Sequence, residues 1–402
     1  MDRPTLHAFV RELVENERLG ALADALPARA RVSEAALPLL LATLHERLGK
    51  GLICLLPDDA DARDAAEAAA WFLGEETVGY LPSRGVGWDS GLEPPPHLIG
   101  ERTRALDVLA RGGLVCVSAR ALAEPMPPPD ARPEPIVLRA GADLGVEPLA
   151  ESLALAGYAR VDRVDDRGQF AVRGGIVDIF PATGTEPLRV EFFGDEIESI
   201  RAFSAFTQRA LHPLAEAVVY PAAERRIDLV DPELEGVPDD LVPALDRVPD
   251  FVFQPDGVRR VWAEDGVFTQ PSLEGATELD PFPQSQPFAF EAQRPAIAAR
   301  GIAEAETELS AFVRAGQRVV VAFPHRGEAL RTQNLLRRVS ARMLEPGEPL
   351  PTEAEVLFVI APARRGFVWR DLGLVLLPDH QVFRRRAPKE RRLGGRALQS
   401  FA

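Results

Sequence analysis

The sequence predicts a multidomain α/β protein with a small β-rich domain between two α/β segments. Short apolar runs alternate with helical patterns between residues 52 and 118, and again between residues 304 and 377, which indicates parallel sheets. Between them, residues 158–209 alternate apolar and polar side chains with a period of two, which is typical of antiparallel strands with one buried face. At 402 residues the chain has room for about two to four domains.

The first segment opens with one or two amphipathic helices within residues 1–30, because apolar side chains recur there on one helical face. We expect Asp61 to cap a later helix, which Gly74 terminates. Apolar runs predict strands at Leu52–Leu56, Val78–Leu81 and Leu114–Ser118, and a helix at Glu101–Ala110.

The central segment raises a question about Phe193. Two interleaved sets of side chains occupy residues 188–193: Leu188, Val190 and Phe192, and between them Arg189, Glu191 and Phe193. If the first set faces the core, Phe193 lies on the other face beside two charged residues. The same parity sets Arg173 opposite Val172 on another strand, so Arg173 can join this face if its strand pairs in a suitable register. A large apolar side chain on a charged face suits a docking surface.

The last segment predicts a second α/β unit. Helices are expected at Glu304–Val313 and Gly327–Val339, and strands at Arg318–Phe323, Val356–Ile360 and Leu374–Leu377. Residues 125–135 are rich in proline and predict a linker, whereas residues 217–285 show no clean pattern. Beyond Phe383 the sequence RRRAPKERRLGGR is basic and aperiodic, and we expect it to be mobile and sensitive to proteases.

Composition restricts the partners and the compartment. The net charge is −15, so most of the surface should repel nucleic acid. Asp2 and Arg3 lead into an amphipathic segment instead of a signal peptide, and no apolar run approaches the ~18 residues of a membrane span. We therefore expect a cytoplasmic protein with no membrane partner. Cys54 and Cys116 lie in apolar runs, which favours buried, reduced thiols.

The only candidate phosphate loop is Leu48-Gly49-Lys50-Gly51. The pattern G-x-x-x-x-G-K-[ST] works after a strand, where backbone N–H groups surround the phosphates and the hydroxyl binds Mg²⁺. Here Leu44 stands at the first glycine position, Gly51 replaces the hydroxyl residue, and the group precedes the Leu52 strand. We expect a turn between a helix and a strand, and no bound ATP.

Other catalytic sets are also missing from the sequence. The six His residues lack metal-ligand spacing, and no G-x-S-x-G motif occurs. Asp162, Asp165 and Asp166 lie among arginines, which favours a solvated charge cluster over a catalytic pair. Trp88 could stack on a base, although a partly buried Trp in such a Pro/Gly-rich loop is commoner. We expect no catalytic, cofactor-binding or metal-binding residues.

Two stretches carry a family resemblance. R-G-x-F-x-V-R-G-G-I-V-D-I-F-P, from Arg167, and P-L-R-V-E-F-F-G-D-E-I-E-S-I-R, from Pro187, resemble the small β-domain inserted in the excision-repair protein UvrB. They are still more similar to the matching domain of bacterial transcription-repair coupling factors, which continues, as here, into F-x-x-x-T-Q-R. Looser similarity to that family extends from about residue 35 to residue 385.

The resemblance implies a domain order. It gives a UvrB-like α/β domain with a degenerate nucleotide loop at 1–135, an inserted β-rich UvrA-binding domain at 136–216, a return to the first domain at 217–286, a second α/β domain at 287–383 and a basic linker at 384–402.

The resemblance also implies a function. Coupling factors recognise RNA polymerase stalled at a DNA lesion, release it by ATP-driven translocation on DNA, and recruit the excision-repair ATPase UvrA. Because this chain stops at Ala402, before the polymerase-binding and motor domains, we expect it to be the amino-terminal, UvrA-recruiting part and not an enzyme. RNA polymerase, double-stranded DNA, ATP and Mg²⁺ are then expected at the missing regions only. The family's UvrA-contacting residues fall on Arg173, Arg189 and Phe193.

Two other classes of function compete with a docking platform. An ATP-driven helicase or nuclease needs an intact phosphate loop and an acidic Mg²⁺-holding motif, which the sequence lacks. A stand-alone UvrB-like nucleic-acid-binding or regulatory module needs a basic face interleaved with aromatic residues, which the charge opposes outside the tail. A platform needs no catalytic group and accounts for the face that carries arginine and phenylalanine.

Overall fold

The structure is a computed structural model, and it describes residues 4–26, 28–230, 237–245, 251–255, 277–280, 288–297, 299 and 301–383. Within these ranges the protein is mixed α/β with several sheets, as the sequence predicts. No helix in the same ranges is long and apolar enough to cross a membrane. The basic segment at 384–402 lies outside the described residues, so its mobility stays a prediction.

The elements follow one another in this order. The helices are α1 (His7–Val14), α2 (Glu17–Asp24), α3 (Leu37–Leu48), α4 (Asp59–Leu73), α5 (Pro96–Ala110), α6 (Ala119–Ala123), α7 (Val146–Leu155), α8 (Ile302–Arg314), α9 (Arg326–Leu335) and α10 (Asp379–Val382). The strands are β1 (Arg29–Val32), β2 (Leu52–Leu56), β3 (Val78–Leu81), β4 (Leu114–Ser118), β5 (Ile136–Arg139), β6 (Ala159–Arg160), β7 (Gln169–Arg173), β8 (Ile176–Phe180), β9 (Leu188–Phe193), β10 (Glu196–Phe203), β11 (Ala210–Leu214), β12 (Glu216–Val219), β13 (Phe251–Pro255), β14 (Thr277–Asp280), β15 (Phe288–Phe290), β16 (Arg318–Phe323), β17 (Ala341–Met343), β18 (Val356–Ile360), β19 (Phe367–Trp369) and β20 (Leu374–Pro378).

The chain divides into two compact units. The first comprises residues 1–79, 108–119 and 248–402, and the second comprises residues 80–107 and 120–247. The β-rich sheet belongs wholly to the second unit.

The first α/β sheet has the strand order β15-β1-β14-β13-β2-β4-β3. Strand β2 pairs in parallel with both β4 and β13, and β14 pairs in parallel with β13 and β1. The segment at 217–285 therefore sends β13 and β14 back to the first sheet, although its sequence shows no strand pattern. The position of these strands depends on pairing with distant strands, which a local sequence pattern does not reveal.

Helix α4 corrects one sequence expectation. Its N-cap is Asp58, whose side chain accepts a hydrogen bond from the backbone N–H of Asp61 at 2.8 Å. The prediction that Asp61 caps this helix is wrong, because Asp61 already lies in the first turn. The helix ends before Gly74, as expected, and a φ of 93° suits that residue to glycine.

The β-rich sheet has the order β11-β10-β9-β8-β7-β6, and among its described strands only β6 and β7 pair in parallel. Gly174 and Gly175 form the two-residue turn of the β7–β8 hairpin, and Gly174 has a φ of 58°. One face of this sheet packs against α7 and forms the core of the domain. Strands β5 and β12 pair separately as a two-stranded sheet.

The second α/β sheet has the order β17-β18-β16-β20-β19, and β19 is antiparallel to β20. Strands β16 and β18 begin and end as predicted, whereas α9 stops at Leu335, before the predicted end at Val339. Helix α1 connects the two α/β sheets of this unit. The Phe9 ring lies 6.2 Å from Phe72 and 5.9 Å from Phe367, and Arg318 donates to both carboxylate oxygens of Glu12 at 2.7 and 2.6 Å.

Candidate protein-docking site

The candidate site is one face of the six-stranded sheet, which we call the outer face. Strand pairing aligns one row of side chains across β7 to β10: Ala171, Asp178, Arg189 and Arg201. The neighbouring row contains Arg173, Ile176, Glu191 and Ser199. Phe193 ends β9, opposite Glu196. The pairing thus gathers charged side chains from four strands onto one surface.

The opposite face of these strands is the core. Its fully buried side chains are Phe170, Val177, Ile179, Val190 and Ile200, and they pack with Leu149 and Leu153 of α7. Val172 and Phe192 are partly buried against the same core. Because side chains alternate along a strand, Arg173, Arg189 and Phe193 share the outer face. Whether they bind UvrA stays a prediction at this point.

Asp178 lies between the two arginines, on the strand that separates them. Its side chain is completely buried and accepts hydrogen bonds from Arg189 Nε at 2.7 Å and Arg189 Nη2 at 2.9 Å. Arg173 Nη2 donates to the same carboxylate. These hydrogen bonds raise the pKa of Arg189 above its ordinary value. One buried carboxylate therefore holds two guanidinium groups that come from strands on either side of it.

Arg189 is held on a second side by an aromatic ring. Its guanidinium carbon lies 4.7 Å from the centre of the Phe203 ring. Phe203 is 1% exposed and forms a small apolar cluster on the outer face with Val164 and Ala171. The Arg189 side chain remains 25% exposed, and that of Arg173 remains 50% exposed. Both guanidinium groups are thus anchored by the protein but accessible from solvent.

Phe193 lies at the other end of the outer face and is 81% exposed. It is followed by Gly194, whose φ of 64° begins the turn into β10. Four residues of strand place it about 13 Å along β9 from Arg189. The outer face therefore presents a free aromatic ring at one end and a pair of anchored cations further along.

Sequence reasoning missed several features of this surface. It did not identify Asp178 as the partner of both arginines. Strand parity nevertheless places Asp178 on the outer face, because its neighbours Val177 and Ile179 face the core. Arg201 donates to Glu191 at 2.7 Å and forms a second ion pair on the outer face. Phe206, in the loop after β10, is 92% exposed. In the sequence, only the motif F-x-x-x-T-Q-R includes that loop, and Phe206 occupies one of its variable positions.

The candidate phosphate loop at 48–51 is a turn between α3 and β2, as expected. Gly49 ends α3 with a φ of 61°. The strand–loop–helix arrangement that a phosphate loop requires occurs earlier, at residues 33–36 between β1 and α3. There Ser33 Oγ donates to Ala292 O at 2.9 Å and accepts from Ala292 N–H at 2.8 Å, and Glu34 adds a negative charge. A loop with this charge and no glycine lacks the backbone geometry that phosphate loops use, and the absence of bound ATP stays a prediction.

Trp88 is engaged within the protein. The guanidinium carbon of Arg84 lies 3.8 Å from the centre of its ring, and Trp88 Nε1 donates to Pro125 O at 3.1 Å. Arg84 Nε also donates to Glu224 at 2.6 Å, and Arg102 Nε lies 3.5 Å from the same residue. Arg84, Arg102 and Glu224 are all buried. Burial raises the pKa of Glu224, and the two nearby arginines partly offset this increase.

No group of three or more His, Cys, Asp or Glu side chains with a metal-binding arrangement occurs in the described ranges. Cys54 and Cys116 are free, buried and opposite each other on β2 and β4. Their contact and their burial raise the pKa of Cys54. Asp165 pairs with Arg163 at 3.3 Å, and both side chains are at least half exposed, as expected of a solvated cluster.

Comparisons with known proteins agree with the sequence resemblance. Residues 136–224 match the family described as the UvrB interaction domain. The chain is 37% identical over 191 residues to the transcription-repair-coupling factor of Mycobacterium tuberculosis, which covers 45% of this chain and 15% of the relative. It is 34% identical over 195 residues to that of Myxococcus xanthus, covering 46% and 16%, and 33% identical over 184 residues to that of Staphylococcus aureus strain USA300, covering 44% and 16%.

The chain is therefore homologous to transcription-repair coupling factors over about 45% of its length and carries a region that matches the UvrB interaction domain. The matched part spans only about 15% of the length of these relatives. All of Arg173, Asp178, Arg189 and Phe193 fall inside the matched region at 136–224.

Proposed function

We propose that the outer face docks the excision-repair ATPase UvrA, and that the chain is the repair-recruiting part of a transcription-repair coupling factor. The observation that carries the proposal is that Arg173, Arg189 and Phe193 share one accessible surface inside the region that matches the UvrB interaction domain. Aromatic and arginine side chains dominate the binding energy of protein interfaces. Because Phe193 is exposed, it contributes little to the stability of the fold. Burial of its ring against a partner would remove that apolar surface from water.

We further propose that this chain neither binds ATP nor catalyses a reaction. The loop at 33–36 contains Glu34 and no glycine, and Ser33 is already hydrogen-bonded to Ala292. In this proposal, release of RNA polymerase and translocation on double-stranded DNA depend on other parts of the coupling factor, where ATP and Mg²⁺ would bind.

A nucleic-acid-binding module is the competing function. The outer face disfavours it, because Arg173 and Arg189 share the carboxylate of Asp178 and Arg201 pairs with Glu191. These carboxylates reduce the positive potential that would attract phosphate groups, and the net charge of −15 reduces it further.

Titration of purified UvrA with this chain, with and without ATP, tests the proposal. We expect a saturable complex that Arg189→Ala weakens about 30-fold, which corresponds to about 2 kcal/mol. Arg139→Ala is the matched control, since Arg139 is an ion-paired arginine on β5 whose side chain is 65% exposed. Absence of UvrA binding, equal losses in the two variants, or tight binding of double-stranded DNA instead would refute the docking function.

A further inference from the structure

Asp178 contributes a buried carboxylate beneath the outer face. It is a completely buried carboxylate between a partly exposed arginine and a half-exposed one. Buried ion pairs are often no more stabilising than apolar side chains of similar volume, because the charges lose their hydration. The stability of the fold is therefore a weak reason for this buried charge, and its contacts offer a second one.

The hydrogen-bond geometry supplies that reason. Asp178 accepts from Nε and Nη2 of Arg189, so it binds one edge of that guanidinium group. The Phe203 ring covers one face of the same group at 4.7 Å. The structure gives no partner within the described residues to Nη1 of Arg189. The outer end of the guanidinium group is thus immobilised with its remaining N–H groups available to a partner.

Arg173 is fixed through Nη2 alone and keeps more of its donors. Both arginines start from long side chains that lose rotamer entropy when a partner immobilises them. Because Asp178 already fixes them in the free chain, part of that loss occurs on folding instead of on binding. Pre-organised, planar N–H pairs are suited to carboxylate groups, which they bind in a bidentate manner.

We propose that Asp178 is a positioning residue, which orients Arg173 and Arg189 for carboxylate side chains on the docking partner. The proposal rests on the docking function above and specifies the chemistry of the partner surface. That surface carries acidic side chains opposite the two arginines and an apolar recess for Phe193, about 13 Å along the strand from Arg189. Asp178 itself remains beneath the arginines and does not touch the partner.

Asp178→Asn tests the positioning role, because asparagine has nearly the same shape but lacks the charge. The variant increases the net positive charge of the outer face while loosening the arginines. We therefore expect the dissociation rate constant of the UvrA complex to rise about tenfold, while the association rate constant at low salt stays equal or increases. A purely structural defect would instead lower the apparent association rate through loss of folded protein and leave the dissociation rate constant unchanged.

A double-variant comparison distinguishes an indirect role from a direct one. In the background of Arg173→Ala and Arg189→Ala, Asp178→Asn should cause no further loss of UvrA affinity. An additional loss of the same size in that background would overturn the proposal. Glu216→Gln serves as the control, since Glu216 pairs with Arg139 at 2.7 Å on a different sheet of the same unit.

A readout without UvrA separates this inference from the docking function. In NMR spectra of the labelled chain, the Arg189 Nε–H should exchange slowly with water in the parent and in Glu216→Gln, and rapidly in Asp178→Asn. If UvrA does not bind but this pattern is found, the docking function fails while the positioning of the arginines stands. If Arg189 Nε–H exchanges rapidly in the parent as well, the positioning role is refuted.

Discussion

Phe193 and Phe203 lie on the same face of one sheet, yet Phe193 is 81% exposed and Phe203 is 1% exposed. Phe203 is covered by Val164, Ala171 and the guanidinium group of Arg189. Phe193 lies at the turn into β10, beyond the reach of that cluster. The same residue type therefore has a packing role at one end of the outer face and is available for binding at the other.

This difference predicts opposite effects of two substitutions. Phe193→Ala should weaken UvrA binding by about 2 kcal/mol and leave the melting temperature nearly unchanged, because the ring contacts little in the free chain. Phe203→Ala should lower the free energy of unfolding by about 3 kcal/mol, because it leaves a cavity. Thermal unfolding and a UvrA titration on both variants check this. A large drop in melting temperature for Phe193→Ala would show that its role is structural.

We predict that the chain does not bind ATP. Glu34 would repel the phosphates, and the loop at 33–36 has no glycine through which backbone N–H groups could approach them. Isothermal titration with Mg-ATP should give no heat of binding, and steady-state assays should detect no hydrolysis. A dissociation constant in the micromolar range would contradict this prediction.

The buried cluster of Arg84, Arg102 and Glu224 predicts a large effect on stability, away from the outer face. Arg84→Ala removes one partner of Glu224, whose carboxylate is then left buried with less compensation. The free energy of unfolding should fall by about 3 kcal/mol, as measured by urea denaturation. Arg226→Ala is the control, because Arg226 pairs with Asp228 at 2.6 Å where both side chains are about 40% exposed, and it should change stability much less than Arg84→Ala does. Similar losses for the two variants would contradict the assigned role of burial.

Glu306 predicts a pH-dependent contribution. Its carboxylate accepts hydrogen bonds from the backbone N–H groups of Arg337 and Arg338 at 2.5 and 2.6 Å, and these bonds hold its pKa below the ordinary 4.5. A lowered pKa means that the stabilisation is complete above about pH 4.5 and is lost as the pH falls through the folded-state value.

Glu306→Gln should therefore cost about 2 kcal/mol at neutral pH and progressively less in acid. Urea denaturation at several pH values measures the difference from the parent. Glu308 lies on the same helix and is exposed, so the control variant Glu308→Gln should show no such dependence on pH. A cost that stays constant down to pH 3 would mean that the charge of Glu306 is unimportant.

The two cysteines should be unreactive in the folded chain. Cys54 and Cys116 are completely buried on adjacent strands, and the contact with Cys116 together with burial raises the pKa of Cys54, which keeps its thiol protonated. Alkylation at neutral pH should modify neither thiol until denaturant unfolds the chain, when both should react. Rapid labelling under native conditions would show that the first sheet opens readily.

The sequence alone determined the elements whose periodicity is local. Strands with one exposed face, such as β9, alternate visibly, and this alternation was sufficient to assign Arg189 and Phe193 to one face. Short, largely apolar strands bounded by turns, such as β2, β4, β16 and β18, were also located, because length and flanking residues identify them. The sequence motifs around Gly174 and Gly194 resemble those of coupling factors, and the comparisons confirm this resemblance.

The tertiary structure decided what depends on pairing between distant residues. The place of β13 and β14 in the first sheet could not be read from their sequences, because it depends on pairing with strands that lie far away along the chain. The shared carboxylate of Asp178 required the register of three strands, since a shift of one residue would have moved it to the core face. Local pattern thus identified which side chains face outward, and long-range register decided which of them meet.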